Sequence, residues 1–247
     1  MLTYQIPMKT QILIFAFCTV SLFAFSQVSK KTIELPEFKS IYVNSNYTVY
    51  LKQTNKQEVN VEADTEILGV TELKVENGVL LINIERKDNA NKSLWSKIDD
   101  IKLNPSMKVY VSMKNINELM VNSAGKIISE NSLATSNVTL AVNGSGSMDV
   151  DIKGETVKAE VSGSGTLALR GYATTLEAMV SGSGNINAFN CPVDTSKIKV
   201  TGSGTAELNV ANAIEALVLG SGQVKYKGNT KSTQKKIYGT GSVDRAY

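Results

Sequence analysis

The sequence predicts an all-β fold, a parallel β-helix (β-solenoid) whose coils are about 19 residues long. A Gly-X-Gly motif recurs at intervals of 19, 19, 20, 18 and 19 residues, and apolar residues recur at fixed distances from it. A coil of this length covers about 60 Å of extended chain and cannot bury its apolar side unless coils stack. Charges five residues before successive motifs also alternate in sign, at Lys158, Glu177, Lys197 and Glu215. Stacking in register would place these opposite charges side by side.

The composition limits the classes of function. The chain has 247 residues, of which 42% are hydrophobic and 20% charged, so it falls in the globular range. It has no histidine, which excludes Ser-His-Asp and Cys-His nucleophiles, histidine acid–base chemistry and most zinc sites. A net charge of +3 is too small to indicate a nucleic-acid partner. We expect no cofactor.

Residues 1–26 are predicted to be a secretory signal peptide. Lys9 precedes a charge-free run over residues 12–25, and small residues flank the last position of that run. The run is shorter than the ~20 residues of a membrane-spanning helix, and we expect no transmembrane segment in the mature chain. We expect translation to start at Met8 and the exported chain to begin at Gln27, in the periplasm, on the outer surface or outside the cell.

The two cysteines have different settings. Cys18 lies inside the signal peptide after Phe17, where a lipoprotein signal needs a small residue, so we reject a lipid anchor. Cys191 is left alone in the mature chain and cannot form an internal disulfide. We interpret it as a small buried apolar residue and not as a reactive thiol.

Residues 27–120 are predicted to be an irregular β part of the solenoid. Asn77-Gly78 separates two alternating segments, Leu73–Glu76 and Val79–Glu85, which is typical of a hairpin. Residues 88–100 are polar and are interpreted as an excursion from the body. We expect this region to cover the first regular coil, because an open solenoid end invites aggregation.

Residues 121–247 are predicted to form the regular coils. Each Gly-X-Gly motif is interpreted as a corner, where a sharp turn needs a residue with positive φ, which glycine adopts without a Cβ penalty. The corner glycines are Gly144, Gly146, Gly163, Gly165, Gly182, Gly184, Gly202, Gly204, Gly220, Gly222, Gly239 and Gly241. The alternative is a series of antiparallel hairpins in a sandwich or barrel. Recurrence at constant offsets favours the solenoid.

The middle residues of the corners would form a column of hydroxyl groups. The column consists of Ser145, Ser164, Ser183, Ser203, Ser221 and Thr240. These side chains either satisfy backbone groups of the corner, which we favour, or form a polar ridge that contacts sugars.

Several of these features together resemble a known family. The segment Phe38–Val43, the strand end Glu62-Ala63-Asp64, the Asn77-Gly78 hairpin and the successive Gly-Ser-Gly coils are similar to the DUF2807 family, also called the "putative auto-transporter adhesin head GIN domain" and found mainly in Bacteroidetes. The resemblance covers essentially the whole mature chain. It implies an exported all-β protein with parallel β-helix coils, and it brings no catalytic residues.

Two motifs that bind nucleotides or calcium can be set aside. The segment 144–149 leads into a strand, so no helix N-terminus is available for a phosphate. A calcium-binding β-roll needs an aspartate in each coil. The position of Asp149 instead holds Ala168, Asn187, Glu207 and Lys225 in later coils. We predict no metal site.

Acidic residues offer one enzymatic alternative. Polysaccharide lyases and hydrolases on β-helices gather acids from neighbouring coils, and the candidates here are Asp149, Asp151 and Glu160 with Arg170. No column of acids builds beside them, and a solvated charged face is the favoured interpretation.

The C-terminal end is basic. Residues 216–247 contain Lys225, Lys227, Lys231, Lys235, Lys236 and Arg245 against the single acid Asp244. These cations either protect the edge of the last coil, which we favour, or dock anionic glycans through Lys231, Lys235 and Lys236.

The sequence therefore predicts an exported, non-enzymatic, adhesin-like binding or surface module whose partner is a cell-surface glycan or another envelope component. The alternatives are a carbohydrate-active enzyme and a purely structural envelope protein. The oligomeric state is not predicted.

Overall fold

The computed structural model describes residues 28–85 and 107–246. The predicted signal peptide and the polar excursion at 88–100 lie outside these residues. The described part contains one short helix, α1 (Thr65–Leu68), and 17 strands in one continuous sheet. The strands are β1 (Val28–Ile33), β2 (Ser40–Val43), β3 (Thr48–Gln53), β4 (Glu58–Asp64), β5 (Thr71–Glu76), β6 (Val79–Ile84), β7 (Met107–Met113), β8 (Glu118–Val121), β9 (Lys126–Ser129), β10 (Leu133–Gly144), β11 (Ser147–Gly163), β12 (Thr166–Gly182), β13 (Asn185–Gly202), β14 (Thr205–Gly220), β15 (Gln223–Lys227), β16 (Ser232–Gly239) and β17 (Ser242–Arg245).

The regular part is a β-solenoid with coils of about 19 residues and about seven turns. Each coil contributes to two stacks of parallel strands, and in β11 these segments are residues 147–152 (stack 1) and 156–163 (stack 2). Pairing of β11 with β12 keeps one register, from Ser147 opposite Thr166 to Gly163 opposite Gly182. The fold prediction is confirmed. The hairpin alternative is wrong for these coils, because neighbouring coils pair in parallel.

The core lies between the two stacks and is filled by the columns that the repeat predicts. The columns after the corners consist of Met148, Leu167, Ile186, Ala206, Val224 and Val243, and of Val150, Leu169, Ala188, Leu208 and Tyr226, all buried. The column before the corners consists of Val142, Val161, Val180, Val200 and Val218, also buried, and it ends at Ile237, which is 42% exposed. Ile237 differs because it lies on β16, the last strand of stack 2 in the described chain.

The N-terminal coils do not follow the order of the chain. In stack 2, β2 lies between β6 and β8, and in stack 1, β3 lies between β7 and β9. The coil formed by β2 and β3 therefore precedes the coil formed by β6 and β7 in the sequence. In the stack, however, it lies between that coil and the coil formed by β8 and β9. The segment Val121–Gly125, whose sequence is similar to that of a Gly-Ser-Gly corner, connects β8 to β9.

Antiparallel strands cover the N-terminal end of both stacks. In stack 1, β4 pairs with β7, and β1 pairs with β4. In stack 2, β5 pairs with β6 through the predicted hairpin, whose turn residues Asn77 and Gly78 have φ of 51° and 75°. Positive φ at both positions is the geometry of a type I′ turn, which matches the twist of the flanking strands.

Candidate binding surface

The Gly-X-Gly motifs lie at the corner that joins stack 2 of one coil to stack 1 of the next. The first glycine of each motif from Gly144 to Gly239 has a positive φ, for example 114° at Gly163. The second glycine does not, but a Cβ on Gly165 would lie 2.5 Å from Cγ1 of Val142 in the preceding coil. The first glycine thus allows the turn and the second allows close stacking.

The hydroxyl column forms the outer edge of these corners. The amide of Ser164 donates to the carbonyl of Gly144 at 2.9 Å, so the backbone bonds within the corner run from coil to coil. The Ser221 hydroxyl donates to that of Ser203 at 3.2 Å.

The opposite corner, between stack 1 and stack 2 of one coil, has its own glycines, which the repeat analysis missed. Gly171 and Gly228 have φ of 96° and 105°. They occur in single coils without a flanking Gly-X-Gly, and a search for a fixed motif does not detect them.

The acids proposed for catalysis do not all lie on one face. The Arg170 guanidinium donates to the Asp149 carboxylate at 2.5 Å, and the Ser132 hydroxyl donates to Asp151 at 2.5 Å. These residues lie in or next to stack 1. Glu160 lies in stack 2, beyond the corner at Gly154. The structure therefore brings Asp149, Asp151 and Arg170 to one face and places Glu160 on another.

The three lysines of the basic end are also separated. Lys235 occupies an inward position of β16, opposite Ala216. Its ammonium donates to the carbonyl of Val243 at 2.6 Å and lies 5.2 Å from the centre of the Tyr226 ring. Lys236 is on the outward side of the same strand, and Lys231 precedes the strand. The three ammonium groups therefore do not form a single patch around Lys235.

The outer face of stack 2 carries the predicted column of alternating charges. Register pairs Lys158 with Glu177, Glu177 with Lys197, and Lys197 with Glu215. Nζ–carboxylate distances are 3.9 Å for Lys158–Glu177 and 3.6 Å for Lys197–Glu215. An adjacent groove of about 360 Å³ is lined by this column and by Met179, Lys199 and Leu217.

An asparagine ladder runs along the end of stack 2 through the irregular coils. The side-chain amide of Asn44 donates to Asn83 at 2.8 Å, that of Asn122 donates to Asn44 at 2.8 Å, and that of Asn143 donates to Asn122 at 3.0 Å. Asn44, Asn122 and Asn143 each follow a valine in similar short segments of the sequence, at Val43, Val121 and Val142. Asn83 has no such segment, and it joins the ladder because β2 pairs with β6 out of chain order.

A shallow depression lies on the corner between the two stacks. It encloses about 540 Å³ and is lined by Ala134, Thr135, Ser136, Lys153, Gly154, Glu155, Tyr172 and Thr174. The Tyr172 side chain stands beside Lys153 of the neighbouring strand and is 55% exposed. The repeat does not single out Tyr172, because the equivalent position is not occupied by the same residue type in other coils and is Lys153 in the preceding one.

Two further features are absent from the part of the chain that the structure describes. There, no three His, Cys, Asp or Glu side chains cluster in a way that could hold a metal ion. Nor does that part contain a helix of the length and apolarity needed to cross a membrane.

Comparison with known families identifies the chain. The family DUF2807, described as "Putative auto-transporter adhesin, head GIN domain", matches residues 37–230. The chain belongs to the DUF2807 family. This match covers most of the irregular coils and nearly all of the regular ones, so the resemblance seen in the sequence is confirmed.

Solved structures share the fold of this DUF2807 chain. A "putative adhesin" from Bacteroides fragilis is 20% identical with a TM-score of 0.79, over 90% of this chain and 98% of that one. A "putative adhesin" from Parabacteroides distasonis is 23% identical with a TM-score of 0.67, over 90% and 98%. A "putative lipid binding protein" from the same species is 21% identical with a TM-score of 0.71, over 89% and 97%. No curated protein is significantly similar to the chain.

Membership in DUF2807 supports the prediction of an adhesin-like surface module, and it suggests that the protein is exported or lies at the surface. At these levels of identity the solved structures establish the fold alone.

Proposed function

We propose that this DUF2807 chain is an exported, non-enzymatic adhesin that binds a cell-surface glycan, with the depression around Tyr172 as its binding site. The observation that supports it is the combination of an exposed aromatic ring with polar groups in one depression. The adhesin description of the family agrees with it.

The chemistry of the depression suits a sugar ring. A sugar presents a C–H face that packs on an aromatic ring, and hydroxyls that need hydrogen-bond partners at its rim. Tyr172 supplies the ring face, and Lys153 and Glu155 supply a donor and an acceptor. Thr135 and Thr174 add hydroxyl groups to the same rim.

A glycan array tests this proposal. The mature chain, residues 27–247, should bind a subset of glycans, and Tyr172→Ala should reduce that binding at least about tenfold, the loss expected for one central aromatic anchor. Tyr238→Ala is the matched control, because Tyr238 is 64% exposed but lies on β16, away from the depression. Equal binding by wild type and Tyr172→Ala, or an equal loss in both variants, would contradict the site.

The carbohydrate-active enzyme is the competing candidate, and the Asp149–Arg170 pair favours it. Both acids, Asp149 and Asp151, already accept hydrogen bonds from protein side chains, which is the reason we prefer a structural role. Incubation of the mature chain with bacterial polysaccharides should release no new reducing ends or unsaturated products. Release that disappears on replacing Asp149 and Asp151 by alanine would establish the enzyme instead.

A further inference from the structure

We propose that the outer face of stack 2 is a self-complementary surface on which a second copy of this chain docks in antiparallel orientation. The face is defined by the outward residues of β10 to β14 and β16 in stack 2. This inference is independent of the glycan proposal, because Tyr172 lies on the corner outside the face.

The charged column projects into solvent. Exposed side-chain fractions are 55% and 52% for Lys158 and Glu177, and 70% and 53% for Lys197 and Glu215. Exposed ion pairs of this kind contribute at most about 1 kcal/mol each to folding. The alternation therefore gives the single chain little stability, while leaving each charge available to a partner.

The order of the charges is complementary to its own reverse. Read along the stack, the column is Lys158, Glu177, Lys197, Glu215. A two-fold axis in the plane of the face, parallel to the strands and midway between Glu177 and Lys197, brings Lys158 opposite Glu215 of the second copy. The same axis brings Glu177 opposite Lys197. All four contacts then join opposite charges, which is the condition for an isologous interface.

The groove beside the column supplies apolar surface near the same axis. Met179 is 38% exposed, and Leu217 lines the groove with it. The charged side chains that line the groove are three lysines and three glutamates, Lys158, Lys197, Lys199, Glu160, Glu177 and Glu215. The charges that line the groove balance, so the groove has no reason to attract an anionic polysaccharide, whereas its alternating pattern suits a partner with the matching pattern.

The face is large enough for a specific contact. Its strands in stack 2 are about 4.8 Å apart and about seven residues long, which gives roughly 650 Å² per copy over six strands. A standard interface buries about 800 Å² per partner, and the lower limit for a specific one is about 500 Å². The axis between Glu177 and Lys197 also falls at the centre of the six strands, so nearly the whole face is used.

Four proteins, the wild-type mature chain and three variants of it, test the charge pattern by sedimentation velocity. An all-lysine column (Glu177→Lys with Glu215→Lys) and an all-glutamate column (Lys158→Glu with Lys197→Glu) should each associate at least about tenfold more weakly than wild type, because like charges meet. An equimolar mixture of the two should restore the dimer. The fourth, the inverted column with all four substitutions, should form dimers with itself and not with wild type.

The inverted column is the control for folding, because each charge of the column still has an opposite charge beside it in the same chain. Thermal melts of all variants identify any that are unfolded. A wild type that stays monomeric at concentrations up to about 100 µM would overturn the proposal, because a specific dimer should form below that concentration. A folded but monomeric inverted column would also overturn it, as would an all-lysine column that dimerises like wild type.

Discussion

Gly163 and Gly165 flank the same serine, yet they are glycines for different physical reasons. Gly163 has φ of 114°, which side chains with a Cβ rarely adopt, and a Cβ there would lie 2.7 Å from the carbonyl oxygen of Gly144. Gly165 has ordinary backbone angles but no room, because Cγ1 of Val142 occupies the space of a side chain. Each corner therefore combines a conformational requirement with a packing requirement.

Replacing Gly163 by valine should lower the free energy of unfolding by more than about 1 kcal/mol, because strain and a backbone clash act together. Urea unfolding monitored by circular dichroism measures this. Ser164→Ala is the control from the same corner, since its side chain is exposed and should cost less than about 0.5 kcal/mol. Equal losses in the two variants would refute the role given to the corner.

Cys191 is a buried free thiol in contact with the core. Burial raises the pKa of the Cys191 thiol to about 11, and the negative charge of Asp151 adds to the effect. In the unfolded chain the thiol titrates near pH 8.5. Between about pH 9 and pH 11 the unfolded chain has lost this proton and the folded chain has kept it, so stability falls as the pH rises.

The expected loss in this window is roughly 1 kcal/mol per pH unit from Cys191 alone. Unfolding free energies of wild type and Cys191→Ala, measured from pH 8 to pH 11, isolate it from the titration of lysines and tyrosines. If the difference between the two proteins does not change with pH, the thiol is not buried as described.

At the scale of elements, the asparagine ladder joins three coils that lack the Gly-Ser-Gly corner to the first coil that has it. Asn122 is its central member and bonds to Asn44 on one side and Asn143 on the other. Asn122→Ala should lower the free energy of unfolding by about 1–2 kcal/mol, the effect of two side-chain hydrogen bonds. Asn46→Ala serves as the control, because Asn46 is exposed in the neighbouring corner and lies outside the ladder. If thermal melts give the same melting temperature for both variants, the ladder does not stabilise the fold.

The regular coils were predictable from the sequence because their contacts are local in the repeat. A residue pairs with the one about 19 positions later, so Lys158 and Glu177 can be recognised as neighbours without any structure. The Asn77-Gly78 hairpin was predictable for the same reason. Each depends on a pattern that a short stretch of chain contains in full.

The irregular coils and the candidate binding site were less predictable. Pairing of β2 with β8 sets Tyr42 opposite Met120, and the Tyr42 hydroxyl donates to the nearby Glu118 carboxylate at 2.5 Å. No period of the sequence leads from β2 to β8. Tyr172 is exposed on a corner that follows a register shift between β12 and β13 after Ala168, and the period of the repeat does not show this shift. Lys235 looked like its neighbours in sequence, but strand alternation turns it inward.

At the scale of the whole molecule, the two ends of the solenoid differ in how their outermost strands are covered. Antiparallel strands cover the N-terminal end, whereas β16 at the other end pairs on one side only within the described residues. There the Lys235 side chain extends over Tyr226 to reach Val243. An inward-pointing charge on an edge strand opposes the addition of further strands.

Lys235→Val should therefore raise the tendency of the mature chain to assemble end to end, seen as particles larger than a dimer in light scattering. Lys231→Ser removes the same charge from outside the strand and should leave the particle size unchanged. Growth in both variants would mean that net charge, and not the inward lysine, keeps the end free. Loss of binding to an anionic polysaccharide in Lys231→Ser without growth would support the docking alternative instead.

The displaced coil of β2 and β3 imposes an order on folding. A repeat array whose coils follow the chain can grow or fray one coil at a time from either end. Here β2 and β3 have no partners on their inner side until β8 and β9 have been placed, so the coils from β2 to β9 should form in one cooperative step. The coils from β12 onward can then be added in sequence. Native-state hydrogen exchange should show the converse on opening, with amides of β15 and β16 exchanging through local fraying and amides of β2 and β3 only through global unfolding.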